Sequence, residues 1–451
     1  MSKERSYWLK SGLFTFLEKG SMVLFGLGTF KILAITLGPE LLGKWFVFLG
    51  ITTILEVARS GLVQNGLVRY LSICEDEDYS KILSASLMLN VLLTLLSCLV
   101  LFGLAQWLSV FFENPDLATM LYLYIGTTIC LIPFQQFNFI QQAKLSFQGI
   151  FWGNFTKQGL FFLLVLFFFV FGNSMTLIQL ASFQVATAIS GSLVAYFFAK
   201  KYLDFSRTID WKWVKELFHY GKFTFGTNMS AQLHKNIDKW MLVPLVGNAA
   251  AGLYETCIKL TNLIEVPTFS IAAIVFPKSA ISSKENSKAA IKQLYERAVG
   301  AIMAFTLPAI IFVFLFPEFI ILLIASEEFL EATSLLRIVI LYGLFFPFAN
   351  QFGTILDSIG KPKINFTFVL LGVVLNVIFN YIFIVNFGLV GAAYGTLLTY
   401  VITFVLNQVV LHRLFGVQFW KAFTYVPFFY REAIGIIKEK VQSPKTDPLI
   451  D

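Results

Sequence analysis

The hydrophobic residues of this chain fall into long apolar segments that are separated by short polar connections. Each segment has the roughly 20 residues that an α-helix needs to cross the hydrocarbon core of a bilayer. Helices satisfy their backbone hydrogen bonds internally, so they are stable in lipid. We therefore predict twelve transmembrane helices, at 11–36, 41–68, 82–112, 117–142, 150–172, 177–199, 219–246, 250–277, 295–324, 333–357, 364–386 and 388–412.

The composition agrees with this pattern. Of the 451 residues 57% are hydrophobic and only 14% are charged, whereas soluble domains carry about 25% charged residues. The net charge of +7 is dispersed over short connections, which argues against a nucleic-acid-binding domain. No residue spacing indicates a metal site, a cofactor, a disulfide framework or a catalytic motif.

The basic residues also predict the orientation. Of the 34 Lys and Arg residues, 26 lie at the two ends or in and beside every second connection, and the connections between these hold none. The lysine-free connections include the glycine turns at Gly38, Gly247 and Gly388. Because positively charged loops stay in the cytoplasm, both chain ends are expected there.

A shift of 209 residues aligns the first two predicted helices with the seventh and eighth. The matched positions include Gly12 with Gly221, Gly38 with Gly247, Gly43 with Gly252 and Glu56 with Glu265. Six spans in each repeat give two halves of the same orientation, as in transporters built from parallel repeats. We predict two six-helix bundles around a central cavity, with the divisions 1–200 (first bundle), 201–218 (cytoplasmic linker), 219–413 (second bundle) and 414–451 (cytoplasmic amphipathic tail).

Charged residues inside the membrane are concentrated in predicted spans 1, 2, 7 and 8. A charge at mid-bilayer costs at least about 2.5 kcal/mol, so such residues normally face a cavity or a partner. The candidates for binding an anionic substrate and its sugars are Lys19, Arg59, Lys235, Lys239, Lys259, Asn228 and Gln232. The candidates for ion coupling are Glu56, Asp238 and Glu265. The alternative is structural pairing along one helix face, within Glu56–Arg59, Lys235–Asp238 and Glu255–Lys259.

Five motifs, in this order, carry a family resemblance: LGPELLGKWFVF, SGLVQNGLVRYLS, NIDKWMLVPLVGNAAAGLYETCIKL, LDSIGKPKINF and NFGLVGAAYGTLLTY. Together they resemble the polysaccharide-export branch of the multidrug/oligosaccharidyl-lipid/polysaccharide exporter superfamily, which includes the O-antigen flippases. Asp238 matches the aspartate usual in that stretch of span 7. The resemblance implies a V-shaped protein of two six-helix bundles that moves a lipid-linked oligosaccharide from the inner to the outer leaflet by alternating access.

The resulting hypothesis is a flippase, not an enzyme, for a polyprenyl-pyrophosphate-linked oligosaccharide in the bacterial inner (cytoplasmic) membrane. Its expected partners are membrane lipids, the lipid-linked oligosaccharide and other polysaccharide-assembly proteins. One alternative is a cation-coupled multidrug exporter of the same superfamily, although the intramembrane basic residues disfavour cationic drugs. A second is a membrane polysaccharide polymerase or ligase, although the outer connections are short for such an enzyme.

Overall fold

The computed structural model describes residues 2–172, 174–284 and 287–442. Thirteen α-helices and three short 3-10 segments make up this part of the chain, and it contains no β-strand. The predicted all-α class is therefore confirmed. The helices are α1 (Ser2–Ile73), α2 (Asp76–Phe111), α3 (Leu117–Ala143), α4 (Phe147–Val170), α5 (Leu177–Ala199), α6 (Trp211–Leu245), α7 (Asn248–Lys284), α8 (Lys288–Leu315), α9 (Pro317–Ile324), α10 (Thr333–Val339), α11 (Phe346–Ser358), α12 (Pro362–Phe415) and α13 (Phe419–Gln442).

Within the described ranges, eight helical segments are long and apolar enough to cross a membrane, or nine with a bent pair in α7. Two of the eight, Leu17–Ser72 and Pro362–Phe415, contain 56 and 54 residues. A helix of that length would measure about 80 Å, more than twice the hydrocarbon thickness, so each can hold two crossings. The chain is a multi-pass membrane protein, and the count of twelve crossings stays a prediction.

The two long segments each contain a break at a glycine. Gly38 in α1 and Gly388 in α12 have φ angles of 67° and 58°, inside otherwise helical stretches. This left-handed region favours glycine because it has no Cβ. A Cβ added at Gly391 would overlap the Phe383 carbonyl, so the chain reverses at Gly388 and runs back along itself. Both breaks fall at predicted outer connections.

The described chain forms two compact units. The first runs to Glu255 and adds the short segment Ile321–Glu331. At one end of this unit α1, α2, α3 and α6 share a core of aliphatic residues, which includes Val63, Leu67, Leu83, Ile140 and Leu217. Its other helices, α4 and α5, pack on α1 and α3.

The second unit holds Thr256–Ile320 and continues from Ala332. Its core joins α7, α8, α11, α12 and α13 through residues that include Val275, Val299, Met303, Phe352 and Leu411. The units thus divide the chain at Glu255, beyond the predicted linker at 201–218, because α6 and the start of α7 pack with α1. The predicted division into six-helix bundles at 1–200 and 219–413 stays a prediction.

The predicted tail contains α13, which packs on α8 in the second unit. The Gln418 amide donates to the Glu296 carboxylate at 2.9 Å, just before α13 begins. Further along, the Tyr430 hydroxyl donates to the Ala304 carbonyl at 2.6 Å. Hydrogen bonds therefore join the α13 segment to α8 at two points, Glu296 and Ala304, about two turns apart on α8. Residues 443–451 of the predicted tail lie outside the described residues.

Candidate functional site

Helix α6 runs antiparallel along the second arm of α1, residues 39–73, and glycines line the contact. Gly66 of α1 faces Leu217, and a Cβ added at Gly221 of α6 would overlap the Leu62 carbonyl. Small residues allow helix backbones to approach closely in a membrane, where lipid gives no hydrophobic drive for association. The glycines therefore fix α6, with its polar residues, directly against α1.

Farther along the contact, Gly50 of α1 lies against a polar stretch of α6. A Cβ added at Gly50 would lie 2.8 Å from Asn236 Oδ1, 3.0 Å from Trp240 Nε1 and 3.1 Å from Lys239 Cε. Because Gly50 has no side chain, Asn236, Lys239 and Trp240 of α6 can pack directly against α1.

The polar residues predicted on α6 form a single stripe. Asn228, Gln232, Lys235 and Lys239 are spaced four, three and four residues apart, which places them on one helix face over about 16 Å. Asn228 and Lys235 are exposed and Gln232 is partly buried, whereas Lys239 is only 5% exposed. The structure thus brings four predicted site residues together, and the stripe leads from accessible positions to a buried lysine.

At its buried end the stripe meets α7 across the turn at Gly247, where the φ angle is 125°. Lys239 Nζ donates to Glu255 Oε2 at 3.3 Å, and both residues are buried. Beside this ion pair the Tyr254 hydroxyl donates to Asp238 Oδ2 at 2.5 Å. Two consecutive residues of α6 are therefore bonded to two consecutive residues of α7.

These cross-helix bonds were not predicted from the sequence. The charge spacing suggested pairs within one helix, Lys235–Asp238 and Glu255–Lys259, because those need no tertiary contact. The sequence does contain one indication of these bonds. Lys239 and Glu255 lie at equal distances from Gly247 in the sequence, and Asp238 and Tyr254 lie at nearly equal distances. A helical hairpin that turns at this glycine brings such positions face to face.

The first hairpin of the chain has an apolar pair at the matching positions. Phe30 and Phe46 lie 209 residues before Lys239 and Glu255, and Gly38 lies the same distance before Gly247. The two rings stack with their centroids 6.0 Å apart. The hairpins therefore share a contact position that is aromatic in the first repeat and ionic in the second.

A second repeat relationship is a reciprocal backbone contact. A Cβ added at Gly43 would overlap the Asn248 carbonyl, and one added at Gly252 would overlap the Pro39 carbonyl. Asn248 and Gly252 are the positions 209 residues after Pro39 and Gly43. The two repeated segments therefore contact each other through equivalent positions of the repeat.

The remaining predicted site residues lie elsewhere. Lys19 is exposed over 69% of its side chain and is 3.8 Å from Glu18. Lys259 is partly buried in the second unit. Glu265 belongs to α7, and its side chain lies outside the described residues.

Glu56 and Arg59 point into the first unit, toward α2 and α3. Arg59 is 1% exposed, and its Nη1 donates to Thr94 Oγ1 and to the Thr128 carbonyl. Glu56 accepts a hydrogen bond from the Tyr124 hydroxyl at 2.7 Å. No ion pair within 4.0 Å joins Glu56 to Arg59 in the described structure, so the alternative of direct pairing between these two residues is not seen here. Arg59 is also separate from the stripe on α6.

A sequence profile described as "Polysaccharide biosynthesis protein" matches residues 32–334, about two thirds of the chain. The chain belongs to the polysaccharide biosynthesis protein family. This places it in the polysaccharide-export branch of the multidrug/oligosaccharidyl-lipid/polysaccharide exporter superfamily, and the resemblance drawn from the five motifs is confirmed.

Relatives of this polysaccharide biosynthesis protein occur in archaea and bacteria. It is 23% identical over 434 residues to the uncharacterized membrane protein MJ1068 of Methanocaldococcus jannaschii, covering 90% of this chain and 85% of that one. It is 25% identical over 209 residues to the probable low-salt glycan biosynthesis flippase Agl15 of Haloferax volcanii, covering 46% and 43%. The lipopolysaccharide biosynthesis protein WzxC of Escherichia coli K12 is 22% identical over 411 residues, covering 87% and 78%.

Two solved structures show the same fold. A multidrug resistance MATE family transporter in its inward-facing conformation superimposes with a TM-score of 0.75 at 18% identity, covering 87% of this chain and 95% of that one. The lipid II flippase MurJ, in an inward closed conformation, gives a TM-score of 0.72 at 15% identity, covering 97% and 94%. At such identities the likeness establishes the architecture of the polysaccharide biosynthesis protein and not its substrate.

Proposed function

We propose that this protein is a flippase that carries a polyprenyl-pyrophosphate-linked oligosaccharide from the inner to the outer leaflet of the cytoplasmic membrane. The observation that carries the proposal is the polar stripe on α6, which ends at the buried Lys239. A pyrophosphate must pass the bilayer centre with its negative charge, and lysines at that depth lower the cost of the passage. The family and the printed names of Agl15 and WzxC support a glycan substrate.

In this proposal the residues of the stripe have different tasks. Lys235 and Lys239 attract the pyrophosphate, whereas Asn228 and Gln232 hydrogen-bond to sugar hydroxyls. Lys19 and Lys259 contribute further positive charge along the route. The chain moves its substrate without making or breaking a covalent bond, for the synthesis of a surface polysaccharide, and it hands the product to other polysaccharide-assembly proteins.

The proposal also includes orientation and coupling. Both chain ends lie in the cytoplasm, so a cytoplasm-made substrate enters from the side that carries most of the Lys and Arg residues. Asp238, Glu56 and Glu265 are the carboxylates proposed to couple transport to an ion. The two six-helix bundles at 1–200 and 219–413, with a central cavity, belong to the same proposal.

The test is a flipping assay in proteoliposomes that contain the purified full chain. A fluorescent polyprenyl-pyrophosphate oligosaccharide is placed in the membrane, and the fraction reached by a glycosidase added outside is followed with time. Wild type should expose the internal pool, and the Lys235→Ala/Lys239→Gln variant should lose most of this activity. Lys215→Ala, an exposed lysine of α6 on the opposite helix face, is the matched control. A flipping rate of the double variant equal to that of wild type would overturn the assignment of substrate binding to the stripe.

The same vesicles test the alternatives. Uptake of cationic drugs driven by a proton or sodium gradient, without any flipping of the glycolipid, would establish the multidrug exporter instead. Lengthening of the glycan by the purified chain alone would establish the polymerase or ligase. The flippase predicts neither result.

A further inference from the structure

A separate feature of the first unit is the guanidinium of Arg59, which is enclosed by the second arm of α1, α2 and α3. Its Nη1 donates to Thr94 Oγ1 at 3.0 Å and to the Thr128 carbonyl at 2.8 Å. The side chain is 1% exposed. An arginine in such a place keeps its charge, because its guanidinium does not deprotonate in proteins.

The other edge of this guanidinium has no acceptor. Arg59 Nε and Nη2 are buried, and neither has a hydrogen-bond partner in the described structure. These two nitrogens form the side-on fork of an arginine, with two nearly parallel N–H groups that match an oxyanion. The anchored Nη1 holds the plane of the fork in place, so the fork is oriented before any ligand arrives.

The carboxylate one turn away from Arg59 on α1 is engaged elsewhere. Glu56 lies one turn before Arg59 on the same helix, and its carboxylate accepts from the Tyr124 hydroxyl at 2.7 Å. The two charges form no ion pair within 4.0 Å in the part of the chain that the structure describes. Glu56 therefore compensates the charge of Arg59 only at a distance.

Two further side chains with orphaned polar atoms lie on the helices that bond Arg59. The side chain of Asn90 is buried without a hydrogen bond at either polar atom, and it precedes Thr94 by one turn of α2. Thr127 Oγ1, next in sequence to Thr128, is also buried and unbonded. Buried polar groups are normally hydrogen-bonded, and a charged donor left unsatisfied costs more than a neutral one, so a ligand that accepts from the fork is favoured.

We propose that the fork of Arg59 binds a small monovalent anion, such as chloride or a planar oxyanion, within the first unit. The Nε–H and Nη2–H groups of the fork are charged donors, and charged donors select an anion over a cation. An anion bonded to the fork is in direct contact with the guanidinium, where the electrostatic attraction is strongest. The ligand is small because the surrounding side chains are buried among packed helices.

The test compares anions on the purified full chain in detergent. Thermal unfolding is measured in sodium chloride, sodium nitrate and sodium gluconate at equal ionic strength, gluconate being too large for the site. Chloride and nitrate should raise the Tm of wild type by about 2 °C or more over gluconate, and the rise should saturate with concentration. Broadening of the ³⁵Cl resonance by the protein, reversed by nitrate, gives a second measurement that needs no variant.

Two variants separate the site from general effects of salt. Arg59→Lys keeps the charge but loses the fork, and it should abolish the anion-dependent shift and the line broadening. Arg69→Lys, at an exposed position of the same helix, should leave both unchanged. A Tm that does not depend on the anion, together with an unbroadened chloride resonance, would overturn the proposal and leave water or a reoriented Glu56 as the occupant. The outcome does not depend on whether the chain is a flippase.

Discussion

Lys239 Nζ lies 3.3 Å from the Glu255 carboxylate, at the contact position where the first repeat places two phenylalanines. Removal of two charges from water costs several kcal/mol per ion, and their mutual attraction often does no more than offset this cost. The Phe30–Phe46 pair shows that the hairpin can close at this position without charge. We therefore expect that an apolar pair could replace the ion pair without loss of the hairpin.

The first prediction uses this comparison between the repeats. Glu255→Gln should lower the free energy of unfolding by about 3 kcal/mol, because it leaves the Lys239 charge buried without its counter-charge. The double variant Lys239→Phe/Glu255→Phe copies the first hairpin, and it should regain most of that loss while it no longer flips the glycolipid. Chemical unfolding in detergent measures the stability. A double variant as unstable as Glu255→Gln would show that the two hairpins are not equivalent.

A second prediction separates the structural role of Asp238 from its proposed role in coupling. Asp238→Asn keeps an oxygen that accepts from the Tyr254 hydroxyl, so the Tm should change little. Tyr254→Phe leaves a buried carboxylate without this donor, and it should cost about 1–3 kcal/mol. If Asp238 couples transport to an ion, flipping by Asp238→Asn should lose its response to an imposed proton or sodium gradient. An unchanged response would remove Asp238 from the coupling residues.

The third prediction concerns the glycine contact between α1 and α6. A methyl group at Gly221 meets the Leu62 backbone, which cannot move aside as a flexible side chain would. Gly221→Ala should therefore destabilise the protein by about 1–3 kcal/mol. The matched control is Gly126→Ala in α3, where a Cβ meets nothing within 4 Å; it should be neutral or stabilising by up to about 1 kcal/mol. Equal effects of the two variants on the Tm would contradict close packing at Gly221.

The fourth prediction tests whether Lys235 acts through its charge. Lys235 is exposed on the stripe, so substitutions there should leave the Tm nearly unchanged. Lys235→Arg should keep flipping close to that of wild type, whereas Lys235→Glu should reduce it about tenfold, the effect of roughly 1.4 kcal/mol on the barrier. The assay is the glycosidase protection described above. Equal rates for the two variants would mean that the charge at this position does not reach the substrate.

The helices and their turns could be predicted from sequence because each depends on local features. The length of the apolar segments gives the helices, and Gly38, Gly247 and Gly388 mark reversals that the structure places at the same residues. The site was predictable only in part. The spacing of Asn228, Gln232, Lys235 and Lys239 already places them on one helix face, whereas their burial depends on which helices pack beside α6.

Two features could not be predicted from the sequence, for physical reasons. In a membrane protein an apolar helix face can point to lipid or to a neighbouring helix, so the apolar pattern does not show that Arg59 enters the interior of the first unit. The bond between Lys239 and Glu255 joins different helices, and local charge spacing cannot reveal it. Arg59, Lys239 and Glu255 were recognised from the sequence as charged residues inside the membrane, but their bonding partners depend on tertiary packing alone.

The contact of Gly43 with Asn248 and of Gly252 with Pro39 has the form of an isologous interface, in which the same patch meets itself across a twofold axis. Two identical helical hairpins placed side by side about a twofold axis would form the same reciprocal contact. The two hairpins of this protein therefore meet as a pseudo-symmetric pair inside one polypeptide. The symmetry does not extend to their inner pairs, which are a stacked aromatic pair in the first hairpin and an ion pair in the second.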